Sequence, residues 1–177
     1  MQFASDNSGP ALPGVMQAMA EVNMGHMPSY GTEAPMEEVR DRLRELFEAP
    51  QASVYLVATG TAANALALAT LSEPWQTVFC TPLAHIHTDE CNAPEFFTGG
   101  AKLSLVGEAD KMTPEDLARA IALWPAGDVH NPQHGPLALT QATERGRIYS
   151  CAEIAALCGV ARDHGLPCYM DGATNSL

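Results

Sequence analysis

Apolar runs of four or five residues alternate along the chain with amphipathic stretches of ten or more, which is how βα units stacked into a mostly parallel sheet are written in sequence. The pattern predicts an α/β fold with three layers, α/β/α. Over residues 35–47 the apolar positions Met36, Val39, Leu43, Leu46 and Phe47 share one stripe with alternating charges opposite. Proline stands at its start, so a surface helix is expected there. Residues 54–57 (Val-Tyr-Leu-Val) read as a short strand, and residues 61–71 as a helix apolar nearly all round and therefore buried. Further strands are expected at 77–80, 103–106 and 166–170, with strand-like pieces near 128–130 and 137–140. Thr113-Pro114-Glu115-Asp116 opens a helix with a hydroxyl cap, a proline and an acid three residues on. A last helix is expected over about 150–164.

Composition narrows the class. A chain of 177 residues is long enough for one substantial core, and a single domain is expected. Apolar residues make up 46%, yet no run approaches the ~18 needed for a membrane helix, and the N-terminus lacks the basic-then-apolar form of a signal peptide. A cytoplasmic protein is expected, with no membrane partner. The net charge of -12 and the scattered arginines argue against nucleic acid, because phosphate neutralisation needs clustered Lys and Arg. Five irregularly spaced cysteines, mostly among apolar residues, fit reduced thiols rather than a disulfide framework.

Three groups of residues carry chemistry. Thr59-Gly60-Thr61-Ala62-Ala63-Asn64 follows a predicted strand and starts a predicted helix. Its N–H groups, glycine and hydroxyls suit a phosphate monoester, and equally make an ordinary helix cap. The lysine of a Walker loop and the pattern of a dinucleotide turn are both absent. His85-Ile86-His87-Thr88-Asp89-Glu90 crowds ionisable groups into a segment after a strand. If that segment is extended, His85 and His87 face one side and suit a divalent metal; alternatively one imidazole stacks on a flat cofactor ring, or both lie on a solvated loop. Asp171 ends the last predicted strand, where ligands collect in α/β folds. There a carboxylate can bind a metal, cap a helix or pair with a protonated pyridine nitrogen.

In this order, Ser5-Asp6-Asn7 with Gly9-Pro10, Tyr30-Gly31, Gly60-Thr61-Ala62-Ala63-Asn64-Ala65-Leu66, Ala84-His85-Ile86, Leu139-Thr140-Gln141-Ala142-Thr143-Glu144 with Tyr149, and Met170-Asp171-Gly172-Ala173 resemble the threonine aldolases. That family belongs to the β-eliminating lyases and has the aspartate-aminotransferase-like fold that uses pyridoxal 5′-phosphate (PLP). The resemblance implies that Gly60 and Thr61 hold the cofactor phosphate, His85 stacks on the ring and Asp171 pairs with its nitrogen. Ser8 and Tyr30 would lie near substrate or phosphate. The implied reaction splits a β-hydroxy-α-amino acid into glycine and an aldehyde, with His85 or Glu90 taking the hydroxyl proton. A homodimer or homotetramer is implied as well.

The chain departs from the family pattern in three places. The lysine that carries the cofactor in the family has no match: Lys102 and Lys111 are the two lysines present, and neither lies downstream of Asp171. Thr174 stands where the family has a carboxylate-clamping arginine, and Tyr169 where it usually has histidine. The expectation is an incomplete PLP-binding large domain over residues 1–177, a truncated form that is inactive alone and leaves apolar surface uncovered. Two other readings compete with it: a metal-dependent hydrolase using His85, His87 and Asp171, and a noncatalytic remnant.

Overall fold

The structure, a computed structural model, describes residues 9–172. Two compact units divide between Leu56 and Val57.

In the first unit, α1 (Pro13–Val22) has proline in its first turn and buries none of its residues. Helix α2 (Ala34–Leu46) forms where the stripe predicted it. Glu37–Arg40, Glu38–Arg42 and Asp41–Arg44 pair one turn apart along its solvated side. Arg40 also donates to the Gly31 carbonyl at 2.8 Å and Arg44 to that of Ala52 at 3.0 Å, which ties the flanking turns to the helix. Of the apolar stripe only Met36 is buried, while Leu46 and Phe47 are exposed.

The expected strand at 54–57 does not form. Tyr55, Leu56 and Val57 are exposed and make no ladder among the described residues. Aromatic and β-branched residues favour a strand only when a neighbouring strand gives them a surface to pack on.

The second unit runs α3 (Gly60–Leu71), β1 (Gln76–Cys80), α4 (His85–Thr88), α5 (Ala93–Phe97), β2 (Lys102–Leu105), α6 (Pro114–Ala122), β3 (Gln133–Thr140), α7 (Cys151–Asp163) and β4 (Cys168–Asp171). The strands form one parallel sheet in the order β2-β1-β3-β4. Its two faces follow from the two-residue period of a strand. Val78, Cys80 and Ala138 point to one side, onto Leu68 of α3 with Ala84 and Ile86. Phe79, Leu137 and Leu139 point to the other, onto Leu117 and Ile121 of α6 and Leu157 and Ala161 of α7. These are the three layers the alternation predicted. Helices α6 and α7 both open on reciprocal caps, Thr113 with Asp116 and Ser150 with Glu153, each closing two N-terminal donors.

Three expectations need correction. Helix α3 is not buried all round: Asn64, Ala65 and Leu68 are its buried residues and Leu66 is half exposed. Alanine is apolar but small, so an alanine-rich helix carries no stripe from which to tell its core side. Residues 128–130 form a turn, not a strand, because the Asp128 carboxylate accepts from the His130 N–H at 2.9 Å and from the Asn131 amide at 2.7 Å. The polar segment after β1 is the helical turn α4 rather than an extended loop.

One glycine is dictated by space. A Cβ at Gly135 on β3 would stand 2.7 Å from the Thr77 backbone carbonyl of β1. The two strands lose their even register between Thr77 and Phe79. Beyond β3 the chain is anchored by Asp110, which accepts from Thr143 at 2.6 Å and from Arg147 through two guanidinium nitrogens at 2.6 and 3.0 Å. Gln141 clasps the backbone of Tyr149 from both sides, and the Tyr149 hydroxyl accepts the Met112 N–H at 2.8 Å. Among the described residues no helix is long and apolar enough to cross a membrane.

Candidate active site

The N-terminus of α3 is capped by Thr59, whose hydroxyl oxygen accepts the Ala62 N–H at 3.1 Å. Helix geometry leaves the N–H groups of Gly60 and Thr61 without an intrahelical acceptor. Both face the place where a helix dipole attracts an anion. Thr59 and Thr61 line an open hollow with Ala62, Ala65, Leu66 and Phe97. Gly60 has no neighbour within 4 Å of where a side chain would start. The cap posed by the sequence is therefore present, and it leaves these two N–H groups free of intrahelical partners.

One turn further along α3, Asn64 is buried and reaches three partners. Its amide nitrogen donates to Glu90 Oε1 at 2.6 Å and to Asp171 Oδ2 at 3.1 Å, and its carbonyl oxygen accepts the Tyr169 hydroxyl. Asp171 and Tyr169 occupy alternate positions of β4 and so project to the α3 side of the sheet. Asp171 also fixes the β3 exit, its backbone carbonyl accepting the Gln141 N–H at 2.9 Å.

Glu90 follows α4, whose Ile86 packs into the core and thereby turns His85 toward Glu90. His85 Nδ1 lies 2.9 Å from Glu90 Oε1. The His85 side chain is 39% exposed and that of Glu90 is wholly buried, so the imidazole is open to a ligand while its carboxylate is not. Burial disfavours the imidazolium, but the hydrogen bond and charge of Glu90, with the charges of Glu144 and Asp171, outweigh it and raise the His85 pKa. Glu90 Oε2 is buried without a hydrogen-bond partner among the described residues. Burial, with Asp171 and Glu90 nearby, pushes the Tyr169 phenol up to about 12, so it stays a donor.

The structure therefore brings together His85, Glu90 and Asp171, three of the residues singled out in the sequence. Gly60 and Thr61 lie at the head of the helix that carries Asn64. Tyr30 belongs to the first unit, where its side chain is fully exposed and its backbone left-handed. Ser8 and the tail beyond Gly172 lie outside the described residues. Lys111 is engaged by Glu153 and the Ile148 carbonyl, and Lys102 is exposed on β2.

Sequence reasoning missed Asn64 and Tyr169 as members of this cluster. A polar side chain inside an alanine-rich helix was the available signal. The hydrolase reading fails on geometry: His85 and His87 sit on a helical turn, which sends alternate residues apart, and His87 is exposed. No cluster of metal-ligating side chains occurs among the described residues.

The sequence model of the beta-eliminating lyase family matches residues 2–174. The low specificity L-threonine aldolase of Pseudomonas aeruginosa is 44% identical over 173 residues, which are 97% of this chain and 49% of that protein. That of another Pseudomonas species is 40% identical over the same shares. The chain spans about half the length of these curated relatives. Among solved structures, the threonine aldolase of Leishmania major superposes with a TM-score of 0.89 at 28% identity, covering 97% of this chain and 49% of that one. Serine palmitoyltransferase from S. paucimobilis, solved with PLP-myriocin bound, shares the fold with a TM-score of 0.64 at 21% identity, over 89% of this chain and 37% of its own.

Proposed function

The chain belongs to the beta-eliminating lyase family, and from that footing we propose that the protein is a PLP-dependent aldolase of threonine type, acting on a β-hydroxy-α-amino acid. The observation that carries the reading is the buried pair of carboxylates, Glu90 and Asp171, held by one amide beside a half-exposed imidazole. Both carboxylates lie on the α3 side of the sheet, and the anion-attracting head of α3 is one turn away.

The residues fit the cofactor. Gly60 and Thr61 would take its phosphate, Asp171 its ring nitrogen and the open face of His85 its ring. When bound, PLP supplies an electron sink for cleavage of the bond between Cα and Cβ. What the chain itself does is hold and move protons. An ionised Glu90 accepts from His85, so the Nδ1 position carries the hydrogen and Nε2 is the basic atom of the neutral ring. Nε2 of His85, whose ring is open to a ligand, takes the proton of the β-hydroxyl, while the buried Glu90 holds the imidazole through Nδ1. Asp171 would pair with a positive ring nitrogen, and its burial excludes the water that would weaken that attraction.

Assembly as a homodimer or homotetramer and a cytoplasmic setting belong to the same proposal. The test is a titration of the full chain with PLP, followed by visible absorbance. Saturable one-to-one binding that is lost in Asp171→Ala is expected. A linear, non-saturating response would overturn the reading.

A further inference from the structure

We infer that Asn64 is the positioning residue of this site, locked by Tyr169 so that one amide group holds both Glu90 and Asp171 in place, an inference that rests on the cofactor reading above. The argument starts from the geometry of the amide. Asn64 Nδ2 has two hydrogens, and each finds a carboxylate oxygen, at 2.6 and 3.1 Å. An amide turned the other way would set Oδ1 against the same two oxygens, acceptor on acceptor. The two ends of an amide are the same size, so its hydrogen-bond partners decide which way it faces.

Tyr169 adds to that preference. Burial and the neighbouring carboxylates keep its hydroxyl protonated, and the hydroxyl donates to Asn64 Oδ1. The orientation that sends Nδ2 toward Glu90 and Asp171 is thus also the one that pairs Oδ1 with a donor. The chain of dependence is therefore Tyr169 to Asn64 and Asn64 to both acids, with Glu90 passing it on to His85 at 2.9 Å. The charged and titratable groups facing the cluster are Glu90 after α4, Asp171 and Tyr169 on β4, and Glu144 after β3, whose charge reaches His85. Asn64 supplies no proton and touches no reacting atom. It fixes where the two acids stand.

Pyridoxine 5′-phosphate tests this without requiring a lysine, because it lacks the aldehyde. Its affinity for the full chain is measured by calorimetry, and the pH at which the bound ring nitrogen loses its proton by ultraviolet absorbance. Asn64→Leu keeps the volume and removes the donors; Tyr169→Phe keeps the ring and removes the hydrogen bond that holds Oδ1. Far-UV circular dichroism verifies folding, and Tyr169→Phe stands alone if Asn64→Leu does not fold. Loss of a hydrogen bond to a charged group predicts binding weaker by about tenfold in both variants. The ring nitrogen should also titrate at lower pH in both, since Asp171 no longer stands squarely against it. Wild-type affinity and an unmoved midpoint in folded variants overturn the inference, and so does weaker binding with an unmoved midpoint, which would mark a packing role. Absence of binding to the wild-type chain refutes the cofactor reading itself, and the inference falls with it.

Discussion

Asn64 and Asp171 meet at 3.1 Å although 107 residues separate them in sequence. The contact joins the first turn and a half of α3 to the last residue of β4, and so spans nearly the whole second unit. A polar contact of that reach, with both groups buried, depends on every crossover between the two being in place.

The first prediction follows from that contact. Asn64→Asp replaces the shared donor with a third acid at almost no change in volume. A buried group left uncompensated costs about 3–5 kcal/mol, so the variant should lose a large part of its stability at neutral pH and recover some of it in acid. Denaturant unfolding at pH 5 and pH 8 checks this. Equal midpoints for variant and wild type at both pH values would contradict it.

How much of this was legible in the sequence depends on which physical signal each residue left. The strands of the sheet announced themselves by short apolar runs, and α6 by its cap at Thr113, because capping is a local interaction. Asp171 was legible from its position at a strand end, and His85 and Glu90 from their crowding. The segment 54–57 misled because a strand needs a neighbour, and no local pattern reports whether the neighbour is there. Asn64 was hidden for the opposite reason. Its role consists entirely of partners 26, 105 and 107 residues away. Tyr169 was visible as a departure from the family pattern, but its effect passes through an amide that the strand sequence does not mention.

His85 should titrate above its ordinary value of 6.5. Because the folded pKa is raised, the pairing with Glu90 contributes stability fully below about pH 6.5, and loses it as pH rises through the folded value. Glu90→Gln removes the charge that holds the imidazolium, leaving burial to dominate, and should bring the midpoint down to or below 6.5. NMR titration of the imidazole Cε1–H, assigned with His85→Gln, reads both midpoints. A wild-type midpoint below 6.5 would contradict the geometry of the pair.

The anchor beyond β3 predicts behaviour in acid. The Arg147 guanidinium beside Asp110, opposed by burial and helped by Thr143, holds the Asp110 carboxyl down at about 2, against an ordinary 3.8. A lowered folded pKa means that this stabilisation is present above about pH 4 and is lost as pH falls toward 2. Asp110→Asn should therefore be less stable than wild type at pH 6, with the gap closing between pH 4 and pH 2. Thermal melts across that range decide it, and a gap that stays constant down to pH 2 would remove Asp110 from the account.

Gly135→Ala is the sharpest test of the sheet itself. The added Cβ would come within 2.7 Å of the Thr77 carbonyl oxygen and 3.2 Å of the Gln76 side chain. The first of these neighbours is backbone, so a rotamer change cannot relieve the contact; β1 and β3 have to move apart where their register already shifts. Overpacking of this kind costs about 1–3 kcal/mol, and the strands concerned carry Phe79 and Leu137 at the centre of the larger core. The same substitution at Gly159 on α7 meets nothing within 4 Å and replaces a poor helix former with the best one. Gly159→Ala should therefore leave stability unchanged or raise it by up to ~1 kcal/mol, while Gly135→Ala lowers it. Paired urea melts of the two variants separate close packing at one strand from a general intolerance of alanine, and equal effects at both positions would sink the packing argument.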